Sequence, residues 1–260
     1  YILINFLVAF IITPACADYI GNVGAVNQTA TGAEPKGNMH PLMLGNRIEN
    51  NERIRTGDNG SVQIVFLDTS TMTVGRNSAI TIDKFIYTDN NENNSAQNLS
   101  LARGVLRFIG GAVSHNTGAV IKTPSASIGI RGGSVIVSIN PDQTNTIILH
   151  YGIMTVLTNQ DEKTISRPGL AVSVSPDGKI SDMYRISGDS LSRVTKRLTS
   201  SAQQSGGAIN PPTNANANQA LSSLPTLNVI QGNGLNQLGQ MWAGNALVQS
   251  FANAVNQYNT

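Results

Sequence analysis

The sequence predicts an all-β protein in which short strands build a β-roll, a short solenoid or a sandwich, followed by a small helical C-terminal part. Apolar and polar residues alternate with a period of two from Pro41 onward, as in Ser61–Phe66. Alternation of this kind places one row of side chains on a buried face. Turn-forming residues separate these runs, as in Gly75–Ser78. Short alternating segments bounded by Gly, Asn, Asp or Ser are typical of all-β folds.

The first 17 residues have the features of a signal peptide that is truncated at its start. Tyr1 to Ile12 is almost wholly apolar and is shorter than the about 20 residues that a membrane-spanning helix needs. Ala15 and Ala17 fit the −3 and −1 positions of a signal peptidase site, so we expect cleavage before Asp18 and a periplasmic or extracellular location. The single cysteine, Cys16, would be removed, which excludes disulfides and thiolate metal sites from the mature chain.

The mature chain divides into five further segments by composition and pattern. Its C-terminal end lacks charged side chains, since no Asp, Glu, Lys or Arg occurs from Leu198 to Thr260. Before that end, Leu191, Val194 and Leu198 have helical spacing. The segments are an arm with a weak strand (18–40), a β domain (41–185), a short helix (186–205), a Pro- and Asn-containing linker (206–231) and an uncharged amphipathic tail (232–260).

Two pairs of segments in the β domain resemble each other and indicate imperfect strand repeats. Leu99–Ile109 aligns with Ile147–Leu157, and the alignment places Gly104 on Gly152 at the centre of each copy. A second pair, Ile121–Ile128 and Ile165–Val172, contains a proline at the same place in both members. Units that each expose an apolar face must stack to bury it. The repeat therefore favours a roll or a short solenoid over a closed barrel.

From Leu44 to Gly178 the order of small motifs resembles a FecR domain, the periplasmic domain of bacterial iron-sensing regulators. Asn46 and Thr69 are departures, since the family usually has Asp and Gly there. The motifs that carry the resemblance are Leu44–Ile48, the Thr-Gly turn in Ile54–Gly57, the Gly-centred unit Leu101–Leu106, Thr123–Ile128, Gly129–Ser134, the second Gly-centred unit Tyr151–Val156 and Arg167–Gly169.

The resemblance implies an exported binding module whose partner is an envelope protein or a glycan. In the iron-sensing regulators, this domain couples an outer-membrane receptor to a cytoplasmic segment that binds a sigma factor. Here it follows the export signal directly, so we expect its fold but not direct sigma-factor binding. The main alternative is a structural envelope or cell-surface protein that self-associates through its neutral Asn/Gln-rich tail. A signalling component linked to a TonB-type receptor and a polysaccharide hydrolase or lyase are minor alternatives.

The sequence predicts no catalytic residue, cofactor or metal site, and a net charge of +2 without a basic cluster argues against nucleic-acid binding. Its three histidines lack metal-ligand spacing. The candidate binding element is a glycine-rich turn in which the backbone and one cation could form an anion-binding nest. It consists of Gly129, Arg131, Gly132 and Gly133. The alternative is a purely structural turn or bulge, since glycine permits positive φ.

Overall fold

The computed structural model describes residues 19–27, 29–88 and 94–199, and the predicted signal peptide, linker and tail lie outside these ranges. The described helices are α1 (Ala112–Asn116) and α2 (Gly188–Leu198). The described strands are β1 (Tyr19–Asn27), β2 (Ala30–Ala33), β3 (His40–Pro41), β4 (Arg47–Glu49), β5 (Arg53–Thr56), β6 (Ser61–Phe66), β7 (Thr71–Val74), β8 (Ala79–Ile86), β9 (Ala96–Ile109), β10 (Ala119–Lys122), β11 (Ser127–Ile139), β12 (Asn145–Leu157), β13 (Glu162–Ile165), β14 (Leu170–Val174) and β15 (Tyr184–Arg185).

Three long strands, β9, β11 and β12, change their neighbours halfway along and so divide the sheet into two layers. The first half of β9 pairs with β8 and β10, and its second half pairs with β7 and β11. Layer A contains β8, the first halves of β9 and β11, β10, the second half of β12, and β13. Layer B contains β1, β6, β7, the second halves of β9 and β11, the first half of β12, and β14.

The two layers enclose one hydrophobic core. In β11, Ile128 and Ile130 from layer A join this core together with Val135 and Val137 from layer B. The core-facing positions change from even to odd numbers between Ile130 and Val135. Because a regular strand alternates strictly, this change requires an irregularity, and the pairing of β11 with β12 shifts register on both sides of Gly133. The two shifts correspond to one β-bulge in each strand. Each bulge keeps the apolar side chains of its strand directed into the core where the strand passes from one layer to the other.

The corners contain the glycines that the sequence repeat aligns. Gly104 in β9 and Gly152 in β12 have φ of +98° and +92°, which a residue with a Cβ adopts only with strain. A Cβ on Gly152 would also overlap the carbonyl oxygen of Gly132 on β11. The prediction of an all-β fold built from imperfect repeats is confirmed, and glycine marks the bend in both copies.

The segment that we interpreted as an N-terminal arm with a weak strand contributes strand β1 to the sheet. Strand β1 lies between β4 and β6 in layer B. Ile20 and Val23 are buried in the main core. Glycines and asparagines separate the apolar residues of this strand and so weaken the alternation that the sequence argument needs.

Helix α2 packs on the outer side of layer B and has the buried stripe that its sequence predicts. Ser187 is its N-cap and accepts a hydrogen bond from the backbone N–H of Ser190. Leu198 is fully buried, and Leu191 and Val194 pack against the same small second core. The sheet contributes Val105, Ile136, Ile148 and Ala171 to that core. Among the described residues, no helix has the length and hydropathy to cross a bilayer.

Candidate functional site

The predicted glycine-rich turn is not a turn, because its residues lie inside strand β11 at the corner between the layers. Gly132 and Gly133 have φ of +47° and +136°. The imidazole of His115 lies against Gly132, so that a Cβ there would be 2.8 Å from Cδ2. The carbonyl oxygen of Gly133 accepts a hydrogen bond from the N–H of Gly110 at 2.7 Å. Both glycines are therefore in close contact with neighbouring residues at the corner between the layers.

Gly129 and Arg131 lie before the corner and belong to a different surface from Gly132 and Gly133. Their neighbours Ile128 and Ile130 point into the main core, so by alternation Gly129 and Arg131 face outward from layer A. The four predicted residues therefore do not form one cradle around an anion. An anion-binding role for these residues remains a prediction.

We name the outer side of layer A around this strand the Gly129 face. Ile153 and Leu157 on β12 are 43% and 49% exposed, and Ile153 is the cross-strand partner of Arg131. Between the two aliphatic side chains, Thr155 is the cross-strand partner of Gly129. The face consists of Val120, Lys122, Ser127, Gly129, Arg131, Ile153, Thr155 and Leu157.

The Gly129 face combines aliphatic and cationic side chains. It places aliphatic side chains beside small residues and next to the cations Arg131 and Lys122, and both cations are exposed. Exposed aliphatic groups gathered on one ordered surface often mark interaction sites. Arginine is enriched at protein interfaces, since its planar guanidinium combines packing with several hydrogen bonds. The sequence argument identified Gly129 and Arg131, but it could not find Ile153 and Leu157, because burial cannot be read from alternation alone.

A buried carboxyl group lies in the loop between β4 and β5. Glu52 is 1% exposed, and its Oε2 accepts a hydrogen bond from the backbone N–H of Glu49 at 3.0 Å. Its Oε1 is buried without a hydrogen-bond partner. Burial raises the pKa of Glu52 to about 7, and the negative charges of Glu34 and Glu49 act in the same direction. Nearby, Nε2 of His40 lies 3.1 Å from Oε1 of Glu34, within hydrogen-bond distance.

Two basic side chains lie together on the outer side of layer B. Burial lowers the pKa of Arg107 below its usual range, and its Nε is buried without a hydrogen-bond partner. Burial also lowers the pKa of His150 to about 4, and the positive charge of Arg107 contributes. His150 is therefore neutral at pH 7. In the part of the chain that the structure describes, no group of three or more His, Cys, Asp or Glu residues could hold a metal ion.

The two-layer sheet, bent at its glycine corners, and its exposed Gly129 face belong to one small β domain. Residues 52–153 match the family model described as FecR protein. The resemblance to a FecR domain that we read from the sequence is therefore confirmed over this segment. The matched segment begins just before β5 and ends within β12. Strands β1–β4 and β13–β15 extend the sheet on either side, and helix α2 packs on it.

Among solved structures, the chain is similar to two crystal structures from Parabacteroides distasonis ATCC 8503, each described as that of a proposed anti-sigma factor. The first, at 2.50 Å resolution, has 13% sequence identity and a TM-score of 0.44. The second, at 1.65 Å, has 12% identity and a TM-score of 0.43. Each alignment covers 54% of this chain and 62% of that protein, so the similarity is partial. No curated protein matches the sequence significantly.

Proposed function

We propose that the chain is an exported regulatory module that acts by binding an envelope protein and not by catalysis. The membership of residues 52–153 in the FecR family supports a role in signalling regulation. Of the alternatives that the sequence left open, a signalling component therefore becomes the leading one. The apolar segment Tyr1 to Ile12, followed by Ala15-Cys16-Ala17, supports export.

The observation that carries this proposal is the exposure of Ile153 and Leu157 on the Gly129 face, at 43% and 49%. Both lie on β12, whose alternate residues Met154 and Val156 are fully buried. The buried side chains of Met154 and Val156 hold the backbone of β12 in place, so the exposed side chains of Ile153 and Leu157 project from a rigid strand. A rigid surface loses little conformational entropy on binding, which favours its use as a docking site.

A non-catalytic role is supported by how the titratable groups are distributed. The buried Glu52 precedes β5, whereas Arg107 and His150 lie on the outer side of layer B. General acid–base chemistry requires a donor and an acceptor of protons within reach of one substrate. Glu52 therefore lies apart from Arg107 and His150, so these three groups do not suggest one shared active site.

The proposal is tested by site-specific photo-crosslinking in cells that produce the full chain. A photoreactive amino acid at position 153 or 157 should capture the same envelope protein, which mass spectrometry then identifies. The matched control is position 43, since Met43 is 63% exposed and follows β3, far from β12 in the order of strand pairing. Position 43 should not capture that protein.

A second measurement uses the identified partner with purified proteins. Ile153→Glu should weaken its binding at least about 10-fold, because a charge replaces an aliphatic contact at the interface. Met43→Glu should leave the affinity unchanged. The proposal is wrong if positions 153, 157 and 43 capture the same proteins, or if Ile153→Glu binds the partner as tightly as the original chain.

A structural role in the envelope is the second candidate, favoured by the absence of charge from Leu198 to Thr260. Such a segment could assemble copies of the chain, with Asn and Gln side chains exchanging hydrogen bonds. Truncation after Thr199 keeps the buried Leu198 and separates the two roles. Loss of self-association with retention of the crosslinked partner supports regulation, and loss of both supports assembly.

A further inference from the structure

A cleft of about 330 Å³ lies between helix α2 and the outer side of layer B. Its size is at the lower end of the range of about 300–1,000 Å³ that is usual for small-molecule sites. It is separate from the Gly129 face, which lies on the outer side of layer A. Its polar walls are formed by Asn140, Thr146, Tyr184, Ser190, Arg193 and Arg197.

Two guanidinium groups reach this cleft from the same side of α2. Arg193 donates a hydrogen bond from Nη2 to Ser190 Oγ at 2.8 Å, and Arg197 donates one from Nη1 to Ser138 Oγ at 2.8 Å. Each guanidinium has five N–H donors, so most of them are available. Within the described residues, neither arginine forms an ion pair with a carboxylate, although Asp189 lies only four positions before Arg193.

The spacing of these two arginines needs an explanation, because like charges at positions i and i+4 of a helix destabilise it by a few tenths of a kcal/mol. An anion between them would turn this repulsion into two attractions. Arginine is well suited to that task, since its planar fork matches the oxygens of a carboxylate or a phosphate. Arg197 is partly buried in this site, and this burial lowers its pKa.

We propose that the cleft binds a small molecule with a carboxylate or phosphate group, which Arg193 and Arg197 hold between them. Asn140, Thr146 and Tyr184 on the sheet side supply further hydrogen-bonding groups, and Tyr184 is already oriented by Ser173, 2.9 Å away. The remaining lining residues, Ile186 and Val194, accept a short carbon chain. Such a ligand contacts both α2 and the sheet, so its binding stabilises the docked helix.

The test is calorimetric titration of the full chain with inorganic phosphate and with succinate, at a constant ionic strength set with NaCl. We expect saturable binding of at least one probe with a dissociation constant below about 10 mM, the range of a weak but specific site. Arg193→Gln should weaken that binding about 10-fold, since one charge-assisted donor pair is lost. Lys196→Gln is the matched control, because Lys196 is an exposed cation of the same helix outside the cleft.

The two probes distinguish the sources of the anion: binding of phosphate alone indicates a phosphorylated ligand, and binding of succinate alone a carboxylic acid. Arg193 is exposed, so its replacement does not disturb the core, and circular dichroism confirms that the variant is folded. The proposal is overturned if neither probe binds saturably, or if Lys196→Gln and Arg193→Gln weaken binding equally, since equal losses indicate a diffuse charge effect.

Discussion

Arg197 donates a hydrogen bond from Nη1 to Ser138 Oγ at 2.8 Å and so joins the last turn of α2 to strand β11. The backbone takes part as well, because the carbonyl oxygen of Arg197 accepts a hydrogen bond from the N–H of Arg76 at 2.8 Å. Gly75 lets the chain come this close, since a Cβ there would overlap that carbonyl oxygen. The helix is therefore attached to the FecR domain by polar contacts at its end, next to the small second core.

The first prediction concerns the apolar part of that attachment. Leu198 is fully buried together with Val105, Ile136 and Ile148. Leu198→Ala should lower the free energy of unfolding by about 2–3 kcal/mol, because it removes buried methyl groups and leaves a cavity. Urea denaturation followed by circular dichroism measures the change. Lys196→Ala, on the exposed side of the same turn, is the control and should change stability by less than about 0.5 kcal/mol.

The second prediction separates the two reasons why glycine is required at the corners. A Cβ at Gly152 would overlap the carbonyl oxygen of Gly132, and φ is +92°. Gly118 has almost the same φ, +91°, but the nearest atom to a Cβ there is Ile130 O at 3.4 Å. Gly118→Ala should lower the free energy of unfolding by about 1–2 kcal/mol, the backbone strain alone. Gly152→Ala should lower it by more than about 3 kcal/mol, because the two strands must also separate.

Thermal and urea denaturation of the two glycine variants provide this comparison under one set of conditions. Equal losses would contradict the role of Gly152 in close strand contact, since they would leave only the shared backbone conformation as a cause. A soluble but unfolded Gly152→Ala protein agrees with the prediction as long as Gly118→Ala remains folded.

Much of the β domain could be predicted from the sequence because its physical signals are local. Alternation identified β6 and the spacing of Leu191, Val194 and Leu198 identified α2, since each depends only on neighbouring residues. The alignment of Gly104 with Gly152 was also informative, because positive φ limits a position to glycine.

The rest of the candidate site depends on contacts between distant segments. Gly132 and Gly133 were predicted in a turn or a bulge, and the choice depends on β12, whose pairing with β11 shows that β11 continues through them by means of a bulge. Ile153 is exposed because none of the described elements covers the outer side of layer A at that place. The apolar character of its side chain alone would have favoured burial. The raised pKa of Glu52 arises from burial, which a glutamate in a polar loop sequence does not reveal.

The third prediction concerns Glu52 and the pH dependence of stability. Its pKa is about 7 in the folded chain and 4.5 in the reference state, so the folded protein binds a proton that the unfolded chain releases between these values. The stabilisation that this bound proton provides is therefore present at low pH and is lost as the pH rises through 7. With an allowance for solvent screening, the change between pH 5 and pH 7.5 is about 1–2 kcal/mol.

Glu52→Gln keeps the shape and the acceptor for the N–H of Glu49 but does not titrate. It should remove this pH-dependent contribution and should be more stable than the original chain at pH 7.5. Urea denaturation at pH 5 and pH 7.5 measures both effects. Glu162→Gln, at an exposed position of β13, is the control and should leave the pH dependence as it is. An unchanged pH dependence in Glu52→Gln would show that this carboxyl group titrates normally.

The fourth prediction is that His150 has the opposite effect in the same pH range. Its pKa is about 4 in the folded chain, against 6.5 in the reference state. Between these values the unfolded chain binds a proton that the folded chain does not. The contribution of the neutral imidazole is therefore present above pH 6.5 and is lost as the pH falls towards 4. Between pH 7.5 and pH 5 this amounts to about 2 kcal/mol, which nearly cancels the gain from Glu52.

The cancellation makes the single variants more informative than the original chain. Glu52→Gln retains only the histidine contribution, so its free energy of unfolding should fall as the pH is lowered from 7.5 to 5. His150→Gln retains only the glutamate contribution, so its free energy of unfolding should rise over the same range. The double variant should show neither trend, because Glu52 and His150 lie in different parts of the sheet and their effects should add. If His150→Gln shows no rise, or if Glu52→Gln and the double variant have the same slope, His150 is not held neutral by its burial beside Arg107.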